Sequence, residues 1–390
     1  MNLGYKSNIE IIQSIPQNIQ KKIDIQVTQP SLIHRIIKFI KNIDFEPKTI
    51  IEPGCGTGEF IYALQEYFPY SEIVGIEKNE TLANSIQNVS QNVSIEHKNF
   101  LRVKRKFDLI IGWPPSCILK KEEVLVNQKA IIEGRPNSFV LFLLHAMEIV
   151  EQNGIIAFIL PRLFLSALTF NIVRDMIHNN YEILGIFYPN DKQQKHNFVF
   201  IIRKNKNNVQ NHLYSCTIRN CIVFNEPNNI ASLKELVTSH NLYSLQMDVK
   251  IGTILWNKHK DCLTNDPTKT KMIYYNQFGK NGFVESDNKN PEKKGFIDKE
   301  GIREPVIIVK RGDTKGFNVV LLDDDYPFLI EQHLMYIFCI QPLSRKEKRD
   351  KLNLVYNSLI NSRTRMFIDL YFGINPMNAS ELKYILPLYI

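Results

Sequence analysis

The sequence predicts an α/β fold over its first half, a doubly wound sheet with helices on both faces, followed by a loop-rich second domain. Between residues 29 and 204, short apolar runs of strand length alternate with amphipathic runs of helical period. That alternation is the signature of a parallel sheet joined by crossover helices. A chain of 390 residues is also too long for one ordinary core. Finally, composition changes at Lys204-Asn205-Lys206-Asn207-Asn208, after which short strands and Asn/Asp/Gly/Lys loops take over, most densely at 276–303. The division predicted is an arm at 1–27, the α/β domain at 28–204, a linker at 205–245 and the second domain at 246–390. No internal repeat is present.

The elements follow in order. Gln29-Pro30-Ser31 gives start signals to a helix with Leu32, Ile33, Ile36, Ile37 and Ile40 at helical spacing. Ile50-Ile51 ends a buried strand, and Phe60, Ile61, Ala63 and Leu64 mark the helix after it. A strand at 72–77, a helix near 80–88 and a short strand near 93–96 come next. Phe107-Asp108-Leu109-Ile110-Ile111-Gly112 is a fourth strand that runs into Trp113-Pro114-Pro115-Ser116. Two consecutive prolines make that exit stiff and extended. Ser138 is placed to cap a helix whose buried face is Phe139, Val140, Phe142, Leu143, Ala146, Met147 and Val150. Strand 154–160, helix 171–178 and strands 181–188 and 198–204 complete the predicted sheet. Helix is sparse beyond this point until 344–360.

Bulk composition narrows the function classes. Apolar content of 44% and charged content of 23% fit a soluble globular protein. The net charge of +8 is compatible with a polyanion partner without requiring one. The excess is spread, with 23 basic and 20 acidic residues in 1–204 and 25 and 20 in 205–390, so no basic tail exists. The six cysteines (55, 117, 216, 221, 262, 339) lack metal-ligand spacing and read as free thiols of a reducing compartment. No metal is expected. The amino terminus lacks the apolar core of a signal peptide, and the most apolar runs, 139–150 and 154–168, are interrupted by His145, Glu148, Pro161 and Arg162. A cytoplasmic protein without a membrane partner is the expectation.

The chemistry gathers at Glu52-Pro53-Gly54-Cys55-Gly56-Thr57-Gly58. Three glycines let backbone approach a ligand closely, and the following helix aims unpaired N–H groups at the same space. The third glycine comes one residue too early for the nicotinamide fingerprint. The pattern [DE]-x-G-x-G-x-G is instead that of the loop with which class I methyltransferases hold S-adenosylmethionine. A bare glycine turn is also a common tight strand-to-helix connection. Glu52, placed to meet the ammonium of a methionine moiety, and Glu77, at the tip of the second strand where a ribose diol is gripped, favour the cofactor.

With the glycine loop, Glu77, Asn99-Phe100 and the Pro-Pro loop in this order, the chain resembles the gamma-class DNA adenine-N6 methyltransferases of TaqI-like and algal-virus type. Segment 138–174, with Phe142, Gly154, Phe158-Ile159-Leu160-Pro161, Phe164-Leu165 and Arg174, is similar to later motifs of that family. Val249-Lys250-Ile251-Gly252-Thr253 with Trp256-Asn257, Pro305 to Arg311-Gly312, His333-Leu334 and 381–387 are similar to landmarks of its recognition domain. The likeness is strong over 49–203 and weaker beyond. It implies a class I S-adenosylmethionine-dependent, Rossmann-like methyltransferase domain and a DNA target-recognition domain. It also implies double-stranded DNA as substrate, and a restriction endonuclease or a catalytic methyltransferase as partner. Cofactor contacts fall to Glu52, Gly54, Gly56, Gly58, Glu77, Asn99 and Phe100. Catalytic positions fall to Trp113, Pro114, Pro115 and Ser116, and DNA contacts to Lys258, Lys310 and Arg311.

The departures lie at the chemistry. The family's loop reads Asn, Asp or Ser, then Pro-Pro, then Tyr or Phe; here Trp113 stands first and Ser116 last. The first side chain and a backbone carbonyl normally accept the two amino hydrogens of a base taken out of the duplex. Indole has one N–H and no acceptor, so Trp113 cannot serve. Ser116 cannot stack the base, a contact worth about 1–3 kcal/mol. Asn99 replaces the usual aspartate. Two readings of Trp113 therefore stand: a shifted stacking platform in a weakly active enzyme, or a structural turn in a catalytically inactive DNA-binding relative that acts as a specificity or regulatory partner. An RNA methyltransferase is a lesser alternative. A cytosine-5 enzyme is disfavoured, because Ser116 occupies the place of its cysteine and Cys117 lies one residue on.

Overall fold

Pro30 opens the first helix, α1 (Pro30–Lys41), at a position whose N–H has no helical partner anyway. Leu32, Ile33, Ile36, Ile37 and Ile40 all turn inward. Full burial of such side chains contributes about 1.5–3 kcal/mol each. In this computed structural model the described residues are 27–120, 124, 136–190, 194–205, 211–279, 282–283, 290–310, 317–373 and 375–390. The arm at 1–27 therefore lies outside them except for its last residue. The chain divides into two compact units, one of residues 1–216 and 222–230, the other of 217–221 and 231–390.

The first unit is built on a seven-stranded sheet. Its strands are β1 (Thr49–Pro53), β2 (Glu72–Glu77), β3 (Val93–His97), β4 (Phe107–Gly112), β5 (Val150–Pro161), β6 (Glu182–Phe187) and β7 (Asn197–Arg203), in the order β3-β2-β1-β4-β5-β7-β6. Helices α2 (Glu59–Tyr67), α3 (Glu80–Ser85), α4 (Ser138–Ile149) and α5 (Asn171–Asn180) connect them. The strand period of two sorts side chains between the faces. Ile50, Leu109, Ile155 and Ala157 join the cluster of α1 and α2, while Ile51, Ile110, Ile156 and Phe158 join that of α4 and α5. Strands covered on both faces read as continuous apolar runs, which is why they are visible in the sequence.

The structure corrects the sequence reading at three points. The sheet is not wholly parallel: β7 runs antiparallel to both β5 and β6. The connection from β6 to β7, residues 188–196, is too short for the crossover a parallel partner needs. Ser138 does not cap α4. Asn137 does, accepting from Phe139 N at 3.2 Å. And 205–245, expected as linker, holds the strands Ser215–Ile218 and Cys221–Phe224 and the helix Pro227–Leu236.

The second unit carries the short strands that its composition predicts. Met247–Ile251, Leu334–Cys339, Val306–Lys310 and Val319–Leu322 form an antiparallel sheet in that order. Leu263–Thr264, Phe296–Ile297, Thr270–Ile273 and Phe328–Ile330 form another, whose last pair is parallel. Helix Arg345–Leu359 starts at a capping box of Ser344 and Glu347. Among the described residues, no helix is long and apolar enough to cross a membrane.

Candidate functional site

Because β1, β2 and β4 are parallel neighbours, their carboxyl ends fall on one edge of the sheet, where ligands of open α/β sheets bind. Strand alternation turns Glu52 toward α2. Its side chain is buried, and Oε2 has no hydrogen-bond partner. Burial pushes this carboxyl well above the usual carboxylate range, and the charges of Glu59 and Glu77 push it further. A hydrogen bond from the backbone of Ile61, in the first turn of α2, acts the other way.

The turn after Glu52 is clamped to β2 by Gly54 N and Cys55 N, which donate to Ile76 O at 2.7 and 3.0 Å. Gly56 and Gly58 have φ of +53° and +87°, in the left-handed region that a side chain resists. A Cβ on Gly56 would meet nothing within 4 Å, so the turn has open room there. Glu77 is already employed: Oε2 accepts from Gly56 N at 2.9 Å and Oε1 from Asn79 N at 2.8 Å. This carboxylate therefore joins β2 to the turn. Cys55 is buried with its thiol pushed well up, first by burial and then by Glu52 and Glu77, which makes it a packing residue and no nucleophile.

The diproline lip adjoins this turn. A Cβ on Gly112, the last residue of β4, would stand 3.3 Å from Glu52 Cγ. One on Gly54 would stand 3.7 Å from both Pro115 Cδ and Phe142 Cε1. Trp113 is half-buried and leans on the apolar cluster of α1 and α2. Pro114 is buried, and Pro115 and Ser116 are half-buried. Ser138 holds the lip from α4: its Oγ donates to Pro115 O at 2.6 Å and accepts from Cys117 N at 2.9 Å. Nothing in the local sequence signals this role.

Asn99 and Phe100 form the third wall. Asn99 Oδ1 accepts from Leu101 N at 3.1 Å and so caps a short turn, Phe100–Arg102. Phe100 is buried, 5.1 Å from the Phe142 ring and edge-on to His145 at 5.0 Å. The half-buried Phe142, which the sequence reading places in the buried face of α4 and in the family-like segment 138–174, thus borders the glycine turn and the Phe100 ring together. Glu52, the glycines, Glu77, Asn99, Phe100 and the residues 113–116 all lie in the first unit.

The residues expected to meet DNA lie in the second unit. Lys258 ends the exposed turn Trp256–Lys258. Lys310 closes the strand Val306–Lys310 with its Nζ 4.1 Å from the centre of the Tyr275 ring. Arg311 lies outside the described residues. Among the described residues no group of His, Cys, Asp or Glu is arranged to hold a metal ion.

Strand order, the antiparallel β7 and a carboxylate-glycine turn at the end of β1 are those of the class I methyltransferase fold. Residues 22–195 match the Eco57I restriction-modification methylase family. The chain is 26% identical to the type II methyltransferase M.CvrRI of Paramecium bursaria Chlorella virus XZ-6E, over 90% of each chain. It is 30% identical to the modification methylase CviBIII of Paramecium bursaria Chlorella virus NC1A, over 42% of this chain and 45% of that one. A magnesium protoporphyrin IX methyltransferase of Synechocystis PCC 6803, solved with S-adenosylmethionine bound, is 12% identical with a TM-score of 0.35, over 52% of this chain and 92% of that one. Over these stretches the chain is similar to methyltransferases of restriction-modification systems.

Proposed function

We propose that this chain binds S-adenosylmethionine at the Glu52–Gly58 turn and acts on the exocyclic amine of an adenine taken out of duplex DNA. One observation carries the reading: the carboxylate-glycine turn and the diproline lip occupy adjoining strand ends, with Gly112 against Glu52 and Gly54 against Pro115. The cofactor fits the residues present, because the unpartnered buried Oε2 of Glu52 needs a cation and Gly56 leaves open room. S-adenosylmethionine supplies a methyl group on a sulfonium, electrophilic enough to need no metal or covalent intermediate.

The chain's own residues do the rest. Glu52 receives the ammonium of the methionine moiety and becomes ionised by doing so. Glu77, fixed by two backbone N–H groups, turns its remaining lone pairs to the ribose hydroxyls. Asn99 offers the second lone pair of Oδ1, and Phe100 and Phe142 form an aromatic wall. Pro114 and Pro115 shape the base pocket and exclude water. The second unit supplies DNA contacts through Lys258, Lys310 and Arg311, and a restriction endonuclease shares the recognition site.

Turnover is limited at the lip. Trp113 packs its indole on the core and offers no acceptor to the amine, and Ser116 offers no ring. That packing also favours a second reading, a DNA-binding relative whose catalytic partner is another methyltransferase chain. Transfer of a tritiated methyl group to unmethylated DNA separates the two. Trp113→Asn combined with Ser116→Tyr is expected to raise the rate at least about fivefold, since base stacking alone is worth about 1–3 kcal/mol. A brisk native rate that the double substitution lowers would overturn the argument from the missing acceptor.

A further inference from the structure

Helix α4 carries three side chains whose joint placement the cofactor and base assignments do not use. Ser138, Phe142 and His145 follow at i, i+4 and i+7 and share one face of the helix. Each grips a different wall of the site. Ser138 Oγ bridges Pro115 O and Cys117 N, and Ser138 N donates to Cys117 O at 2.9 Å. Leu119 N donates to Pro136 O at 2.9 Å and Ile118 bridges Asn137, so the end of the lip and the start of α4 are zipped together. Phe142 lies against the glycine turn and the Phe100 ring. His145 Nε2 donates to Val103 O at 2.9 Å, behind the turn that Asn99 caps, and its ring meets Phe100 edge-on.

We propose that this face of α4 is a mechanical link between the cofactor pocket and the diproline lip. Ser138 and His145 are its positioning residues and Phe142 is the contact between them. The proposal rests on the cofactor and lip assignments above and adds a property that they do not contain: filling the cofactor pocket tightens the lip. Pressure on Phe100 and Phe142 has few outlets, because His145 fixes Phe100 from behind and Phe142 and Pro115 both border Gly54. Ser138 transmits the constraint to the lip by hydrogen bonds alone. Its replacement by alanine leaves the helix start intact, since Asn137 provides the cap and alanine favours helix.

Trp113 reports on the lip directly. It is one of two tryptophans, so Trp256→Phe leaves it as the sole indole. In that background the probe is S-adenosylhomocysteine, with affinity read by calorimetry and the lip by Trp113 emission and acrylamide quenching. Saturation is expected to change the emission and protect the indole. Ser138→Ala is expected to lose at least half of that response while affinity stays within about threefold, and Ser138→Thr, which keeps the hydroxyl, is expected to restore it. His145→Phe keeps a ring edge on Phe100 but not the bond to Val103 O; it is expected to weaken binding at least fivefold and to diminish the Trp113 response as well. An undiminished response in Ser138→Ala, or weakened binding with an unaltered response in His145→Phe, overturns the link alone. Absence of binding heat in the parent protein overturns the cofactor site and the link with it.

Discussion

Glu52 is held at a cost that a bound cation would relieve. Its carboxyl is buried, one oxygen lacks a partner, and burial together with Glu59 and Glu77 raises its pKa well above the usual range. A carboxyl raised on folding contributes stability that is complete below its unfolded pKa of about 4.3 and is lost as pH rises through the folded value. Glu52→Gln should therefore stabilise the ligand-free protein at neutral pH, by about 2–4 °C in Tm if it recovers about 1 kcal/mol, and give no gain near pH 4. The same change should weaken S-adenosylhomocysteine binding about 10–100-fold, the range of a charge-assisted hydrogen bond. Affinity of the native protein should climb as pH rises through the raised pKa, and Glu52→Gln should flatten that profile. Thermal melts and calorimetry across pH 4–8 check both halves; a destabilised Glu52→Gln protein with unchanged affinity would refute the assignment. Glu52 and the glycines are legible in the sequence because the chemistry is packed into seven consecutive residues. The joint role of Ser138, Phe142 and His145 is not, because the partners that define it lie 21 to 88 residues away along the chain.

Among the elements, α4 and the segment after β5 decide whether the site keeps its shape. Asn137, as the residue whose side chain satisfies the first turn of α4, should cost about 1 kcal/mol when replaced by alanine. Ser138→Ala should cost less, although a sequence reading favours the serine as cap. The two positions are adjacent and both residue types cap well, so only backbone geometry tells them apart. Arg174, fully buried on α5, donates to the backbone carbonyls of Phe164, Ser166, Ala167 and Ile222. Truncation to alanine strands these acceptors and should destabilise the first unit by about 3 kcal/mol or more. Arg174→Lys should rescue little, because a point ammonium cannot reach carbonyls spread around a planar fork. Denaturant unfolding of the four variants gives the order directly. The direction of β7 was hidden for a related reason. A strand buried on both faces has the same apolar pattern whichever way it runs, and only the short 188–196 connection carries a hint.

At the scale of the whole molecule, the relation of charge to function is the least legible property, because an excess of eight positive charges spread over 390 residues marks no surface. The fold narrows it. Lys258 sits in an exposed turn, and Lys310 is half-buried with its ammonium over the Tyr275 ring. These environments predict different behaviour on DNA. An exposed lysine neutralises a phosphate and releases counterions, so Lys258→Ala should weaken binding about equally on all sequences and reduce the slope of log K against log salt by about 0.9. A lysine restrained by an aromatic ring is oriented toward one acceptor, which suits the reading of a base edge. Lys310→Ala should then cost about 1–3 kcal/mol on the methylated site and much less on unrelated duplexes, with the salt slope changed little. Fluorescence anisotropy on both kinds of duplex between 50 and 200 mM salt distinguishes the two roles. If both substitutions lower the slope alike and neither discriminates between duplexes, the second unit contacts DNA through its backbone alone and specificity resides in side chains other than Lys310. If neither changes binding at all, the charge is a solvated surface and the second unit has no part in holding DNA through these residues.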